Sequence, residues 1–247
     1  KNLDKKTVKS FGDEWMHFDQ SQMSNKEAYK MFTGYFSLFP LKRLTKFSEG
    51  FDMGCGSGRW ARFVAPRVGL LNCVDPSVAI RVAKKNLKEF KNIKYYRQSL
   101  DKNSLKKNSQ DFGYSLGVLH HVPNTSSAIS SCVKLLKPGS PFLVYIYYSF
   151  DNRPVWFKFL WVISNYLRLL INKLPKFLKF LICDIIALCI YFPFSRFASL
   201  IEKVGFNFQN FPLYWYRHRS FYVMRTDARD RFGTPLEKRF SKKEIYK

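Results

Sequence analysis

Between Glu49 and Tyr148, short β-branched and aromatic runs alternate with stretches of helical spacing. Such alternation predicts a parallel sheet built from β-α-β units. Strands are expected at 50–54 (GFDMG), 70–75 (LLNCVD), 93–97 (IKYYR), 111–117 (DFGYSLG) and 141–148 (PFLVYIYY). Helices fit at 57–65, closed by Pro66, at 77–90, and at 125–136, where Lys137-Pro138-Gly139 supplies a stop. The polar link at 101–110 reads as a loop or a single turn. Upstream, residues 11–47 carry Phe11, Trp15, Phe18, Phe32, Tyr35, Phe36 and Phe39 and predict a helical, aromatic cap. After Tyr148 the texture changes to long apolar stretches broken by Pro154, Pro175 and Pro193, which predict three helices, followed by an aromatic, arginine-rich segment at 211–232.

The most apolar stretch is 177–194 (FLKFLICDIIALCIYFPF). Lys179 and Asp184 interrupt it and Pro193 is expected to end it, which leaves fewer than the ~18–20 clean residues of a membrane span. It reads as a buried helix or, with Lys173, Lys176 and Lys179 beside it, as an interfacial helix touching anionic lipid. The domain plan that follows has a helical cap at 1–48, a sheet core at 49–149 and an α-rich lobe at 150–247. Only Ser149 to Arg153 separate the fifth strand from Pro154, too short and aromatic a link for a freely moving domain.

Composition narrows this picture. A chain of 247 residues suits one elaborated domain, and 46% hydrophobic with 24% charged residues excludes a disordered or collagen-like chain. The five cysteines are scattered, odd in number and without C-x-x-C spacing, which argues for a reducing, cytoplasmic setting over a disulfide framework. A formal charge of +24 raises nucleic acid and anionic membrane as partners. The excess is spread, +13 over 1–150 and +11 over 151–247, so a generally basic solvated surface is the plainer reading and nucleic acid the less favoured partner. The start has no Met, apolar run or cleavage site, and the end stops just after Ser241, an N-cap candidate with Glu244 three residues on. Both ends read as clipped.

The chemistry concentrates in Phe51-Asp52-Met53-Gly54-Cys55-Gly56-Ser57-Gly58-Arg59-Trp60, a strand that turns through alternating glycines into a helix. Glycines let the backbone turn sharply and approach a ligand. The dinucleotide fingerprint G-x-G-x-x-G is not met, because Arg59 stands at its third glycine. Asp52 lies where it would repel a pyrophosphate but suit an ammonium group. Asp75 ends the second strand, where an acid can accept from both hydroxyls of a ribose. A ribose acceptor, a glycine turn and an anion awaiting a cation together describe S-adenosylmethionine.

Residues 49–148 resemble the class I S-adenosylmethionine-dependent methyltransferases, the methyltransferase-11-like group with a VLHHVP-type segment after the fourth strand. Asp52, Gly54, Gly56 and Gly58 match the first motif, Asp75 the second, Gly117-Val118-Leu119-His120-His121-Val122-Pro123 the fourth, and Lys137-Pro138-Gly139 the turn before strand five. The resemblance implies an α/β, Rossmann-like parallel sheet, with an N-terminal helical cap and a large α-rich C-terminal insertion. It implies cofactor contacts at Asp52, Gly54, Cys55, Gly56, Gly58, Asp75, Pro76 and Gly117, with the adenine near Ser99 or Asp101. It also implies two further strands in a hairpin. These would follow a helix at 197–206, or lie after one beginning at Ser241, which is the preferred reading and makes 149–240 an insertion.

His120 and His121 follow strand four at the ligand-binding edge, so either could be a general base, His121 foremost, or simply pack the loop. Trp15, Phe18 and Tyr35 could close over a sulfonium or form plain core. Arg59 could reach a carboxylate or lie on the surface. No metal is expected. The expected activity is methyl transfer to a small-molecule acceptor, sugar or lipid-linked, bound by the lobe at 150–247, with peripheral contact with an anionic membrane considered. RNA methylation and non-catalytic cofactor binding are the alternatives.

Overall fold

A computed structural model describes residues 2–205 and 210–246 of the chain. They form two compact units, one of Lys1–Tyr147 with Leu236–Phe240, the other of Tyr148–Pro235 with Ser241–Lys247.

The first unit opens with α1 (Lys5–His17) and α2 (Asn25–Tyr35), whose N-caps Asp4 and Ser24 accept from the backbone N–H groups of Thr7 and Glu27. Five strands follow: β1 (Glu49–Met53), β2 (Leu70–Val74), β3 (Ile93–Tyr96), β4 (Phe112–Leu116) and β5 (Phe142–Tyr145). All pair in parallel in the order β3-β2-β1-β4-β5. Between them lie α3 (Ala61–Val64), α4 (Ile80–Asn86) and α5 (Thr125–Val133). The fold is therefore the expected Rossmann-like α/β sheet with a helical cap.

Phe51 and Met53 enter one core layer with Leu119, Val122, Ala128 and Leu135. The cap aromatics cover other parts of the sheet, with Phe36 edge-on to Tyr114 of β4 and Phe39 to Phe112. Where β1 meets β4, Gly50 pairs with Phe112 and Phe51 with Gly113. Each ring lies over the opposing glycine, so a methyl group at either glycine would overlap it.

Several expected elements are shorter than the sequence suggests. The strand expected to 54 stops at Met53, because Gly54 has φ +80°. The helix expected from 57 begins at Ala61, since the φ of +78° at Gly58 cannot lie in a right-handed helix. The helix at 77–90 contracts to α4, its start spent on a turn in which the Ser77 hydroxyl accepts from Ala79 N. The last strand ends at Tyr145, and α5 ends at Val133, ahead of the Lys137-Pro138-Gly139 turn.

The second unit is helical: α6 (Val155–Ile171), α7 (Lys176–Ile186), α8 (Phe192–Lys203), α9 (Phe221–Gly233) and α10 (Lys242–Ile245). Its core joins Ile171, Cys183, Ala187 and Tyr191 to Met224, Ala228 and Phe232 of α9. Arg225 clamps Asp184 with two bonds of 2.8 and 2.7 Å, and Glu202 gathers Arg217, His218 and the Tyr214 hydroxyl. Ser241 forms the expected capping box with Glu244.

One expectation fails here. Pro193 does not end the helix. A π-helical turn at Ala187–Tyr191 joins α7 to α8 in one 28-residue helix, Lys176–Lys203, long and apolar enough by length and composition to cross a membrane. The wider turn opens the hydrogen-bond ladder where proline lacks its N–H. Of the two placements for a hairpin, the less favoured one after 197–206 finds no strand among the described residues. Residues 206–209 lie outside the described residues, and 210–235 hold a 3-10 turn at Tyr214–His218 and then α9.

Candidate active site

In a sheet of this order, the chain adds β2 and β3 on one side of β1 and then β4 and β5 on the other, and the crevice beyond the carboxyl ends of β1 and β4 is where ligands bind. Both signature loops leave the sheet there. Gly54 and Cys55 donate their N–H groups to the Val74 carbonyl (2.7 and 3.2 Å), which turns the chain away from β1. Gly54, Gly56 and Gly58 all have positive φ. A side chain at Gly54 would strike Val118, so the glycine loop and the loop after β4 lie against each other.

Asp75, at the end of β2, ties the glycine loop down. Its Oδ2 accepts from Gly56 N at 2.9 Å, and its Oδ1 accepts from both the N–H and the hydroxyl of Ser77 (2.8 and 2.6 Å). A carboxylate has about four acceptor positions, so three are already used inside the protein. Pro76 is half-buried beside it. Ser77 was not picked out from the sequence, although Asp75-Pro76-Ser77 carries the composition of an Asx turn.

Asp52 is 1% exposed, and its Oδ2 has no hydrogen-bond partner. Burial pushes its carboxyl up to about 8, the charge of Asp75 adds to the rise, and the Tyr114 hydroxyl and Arg59 oppose it. Tyr114, paired with Asp52 across β1 and β4, is a second site residue missed in the sequence. Cys55 is buried against Cys73, and that contact and the burial hold its thiol well above the ordinary range.

After β4, Gly117 takes φ +77° and Leu119–His121 form a 3-10 turn. His120 is fully buried, stacked on Tyr147 (3.9 Å) and His121 (4.0 Å), with neither ring nitrogen hydrogen-bonded. Burial holds its pKa well below the usual value, so the ring is neutral. His121 differs. Its Nδ1 lies 2.6 Å from the Leu236 carbonyl, which can only accept, so Nδ1 carries the hydrogen and the neutral ring keeps its lone pair on Nε2. Leu236–Phe240 is fixed in turn by bonds from Leu236 N to Thr7, Lys238 N to the His120 carbonyl and Phe240 N to the Tyr147 carbonyl. That segment, 115 residues from His121, left no signal in the sequence.

Helix α1 lies along this edge. Phe11 packs on His121 (4.8 Å), Gly12 faces Ser77 and Val78, and the Trp15 indole faces Gly56. Phe18 is core at 1% exposure, and Tyr35 packs on Trp60 and Tyr145. Arg59 stacks over Trp60 and Trp15, 4.3 and 5.4 Å from the ring centroids. Ser99 and Asp101 sit in the link after β3, where Asp101 accepts from Asn2 N at 3.0 Å and Asn2 in turn bonds Asn124. Among the described residues no group of three or more His, Cys, Asp or Glu could hold a metal ion.

Residues 51–144 match the family described as a methyltransferase domain. A ubiquinone biosynthesis O-methyltransferase of Saccharophagus degradans is 31% identical over 129 residues, 51% of this chain and 52% of that protein. Phosphoethanolamine N-methyltransferase 2 of Caenorhabditis elegans is 29% identical over 147 residues, covering 52% of this chain and 34% of that one. The N-methyltransferase NodS of Bradyrhizobium japonicum, solved with S-adenosyl-L-homocysteine, is 22% identical, covers 56% of this chain and 72% of its own, and superposes with a TM-score of 0.48. The chain spans about half the length of the ubiquinone-pathway relatives it matches. With the sheet order, the glycine turn and the two strand-end acids, the match makes residues 51–144 a methyltransferase domain of the class I, S-adenosylmethionine-dependent family.

Proposed function

We propose that the protein transfers a methyl group from S-adenosylmethionine to a hydroxyl of a small-molecule acceptor. When bound, the cofactor supplies an electrophilic methyl group on a sulfonium. The residues present fit it. Asp52 offers an unpartnered buried oxygen to an ammonium, the three positive-φ glycines leave the loop without side chains, and Asp75 keeps about one acceptor position for a ribose hydroxyl. Turning the Ser77 hydroxyl away would free a second. Ser99 is the candidate for the adenine, and Pro76 and Gly117 for the walls.

The observation that carries the hydroxyl reading is the His121 bond to the Leu236 carbonyl. It fixes the tautomer that presents a basic Nε2, and a base is needed for an unactivated hydroxyl but not for an amine. His120, sealed and neutral, serves as the packing behind His121. A curated relative that methylates oxygen is in keeping with this reading.

The test supplies methyl-labelled S-adenosylmethionine to the folded protein with extracts separated into polar metabolite, lipid, RNA and protein fractions. Label in a polar or lipid product whose methyl is ether-bound supports the reading. Label confined to RNA or protein, or to nitrogen, refutes it.

A further inference from the structure

We propose that the outer faces of α6 and of the continuous α7–α8 helix seat the second unit on an anionic membrane surface. This goes beyond the methyl-transfer reading and does not depend on it. Among the described residues, 21 of the 31 exposed large hydrophobic side chains fall within 155–204, a concentration that marks an interaction surface.

The long helix has two apolar faces. Cys183, Ala187 and Tyr191 pack inward on α9. Phe177, Leu181, Ile185, Leu188 and Phe192, spaced by three or four residues, form a separate stripe that is 39–74% exposed. In α6 only Arg168 and Ile171 are buried, while Phe159, Tyr166 and Leu170 are 63–66% exposed.

Charge identifies the occupant. Residues 155–204 hold seven Lys and Arg against two acids. Both acids are engaged by arginines of the same unit, Asp184 by Arg225 and Glu202 by Arg217. Lys158, Lys173, Lys176 and Lys203 are exposed, with Lys173 and Lys176 at the turn between α6 and α7. Apolar stripes bordered by cations match acyl chains beneath anionic headgroups. Two copies of this face would bring like charges together. A span is also disfavoured, since the helix, about 42 Å long, commits its inner stripe and the Asp184–Arg225 pair to α9.

The test is flotation of the full chain with vesicles of phosphatidylcholine, with and without a third of phosphatidylglycerol. Expected is capture by the phosphatidylglycerol vesicles at low salt, fading as salt rises, with much weaker capture by phosphatidylcholine alone. Replacing Lys173 and Lys176 by alanine should lower affinity about 25-fold at low salt. Phe159→Asp with Phe177→Asp should abolish capture and leave the thermal unfolding midpoint unchanged, because both side chains are exposed. No capture of folded, monodisperse protein at low salt overturns the proposal. So does a dimer that the double aspartate variant dissolves without any capture by lipid, or a vesicle association that resists both high salt and alkaline extraction.

Discussion

Replacing Asp52 with asparagine keeps the shape of the side chain at the end of β1 and removes its titration. In the folded protein without ligand, burial lifts this carboxyl from an ordinary 3.8 to about 8. At pH 7 about nine in ten molecules therefore carry the proton, and ionising the group costs about 1.4 kcal/mol. An ammonium brought beside the unpartnered Oδ2 favours the carboxylate, so binding should expel the proton. Calorimetric titration with S-adenosylhomocysteine, in buffers of different ionisation enthalpy, reads this directly. About 0.9 proton should be released per ligand at pH 7. The wild-type to Asp52→Asn affinity ratio should rise toward tenfold per pH unit below about 8 and level above it. Without ligand the sign is opposite. The folded state holds a proton that the unfolded state loses above about 4, so wild-type stability falls as pH rises from about 4 to about 8, and the asparagine variant lacks that fall. Heats at pH 7 that do not depend on the buffer, or equal proton release in the variant, would refute the reasoning.

Four further outcomes follow from the site and the core. Asp75→Ala removes an acceptor and the anchor of Gly56, so cofactor affinity should fall ten- to a hundredfold, from roughly 1.5–3 kcal/mol, in the same titration. Ser77→Ala should instead strengthen binding by about two- to tenfold, because it vacates a position on Asp75 worth roughly 0.5–1.5 kcal/mol; unchanged or weaker binding would count against a ribose there. His121→Ala should lower turnover about 10²–10⁴-fold with cofactor affinity near wild type, as steady-state kinetics and calorimetry would show together. Phe51→Ala opens a cavity at a fully buried ring and should cost about 3–5 kcal/mol in denaturant unfolding.

The sheet and its glycine loop were legible in the sequence because their physics is local. Short β-branched and aromatic runs, buried on both faces in β1, β2 and β4, write the strands, and the spacing of Gly54, Gly56 and Gly58 between Asp52 and Asp75 writes the turn. Those same glycines explain the errors at the element ends, since a positive φ delays α3 to Ala61. What the sequence concealed was mostly non-local. The state of His121 depends on a carbonyl 115 residues away, and the protonation of Asp52 depends on burial opposite Tyr114, a partner set by strand register. Ser77 is the exception, because the turn it forms on Asp75 is two residues long and therefore local.

The second unit shows why apolar content alone could not place its helices. Proline normally ends a helix because it removes one hydrogen bond and crowds the preceding turn. At Pro193 the strain is absorbed upstream by the π turn Ala187–Tyr191, which keeps Ala187 and Tyr191 aligned with Cys183 against α9. That inner alignment also settles the orientation of the outer stripe, because residues opposite a packed face of a helix have no place in the same core. Phe177, Leu181, Ile185 and Leu188 are thus held outward by the contacts that stabilise the unit, and turning them inward would expose Cys183, Ala187 and Tyr191 in exchange. The exposed stripe is therefore a consequence of how the unit folds, which makes a lipid surface a means of covering it without disturbing the packing on α9.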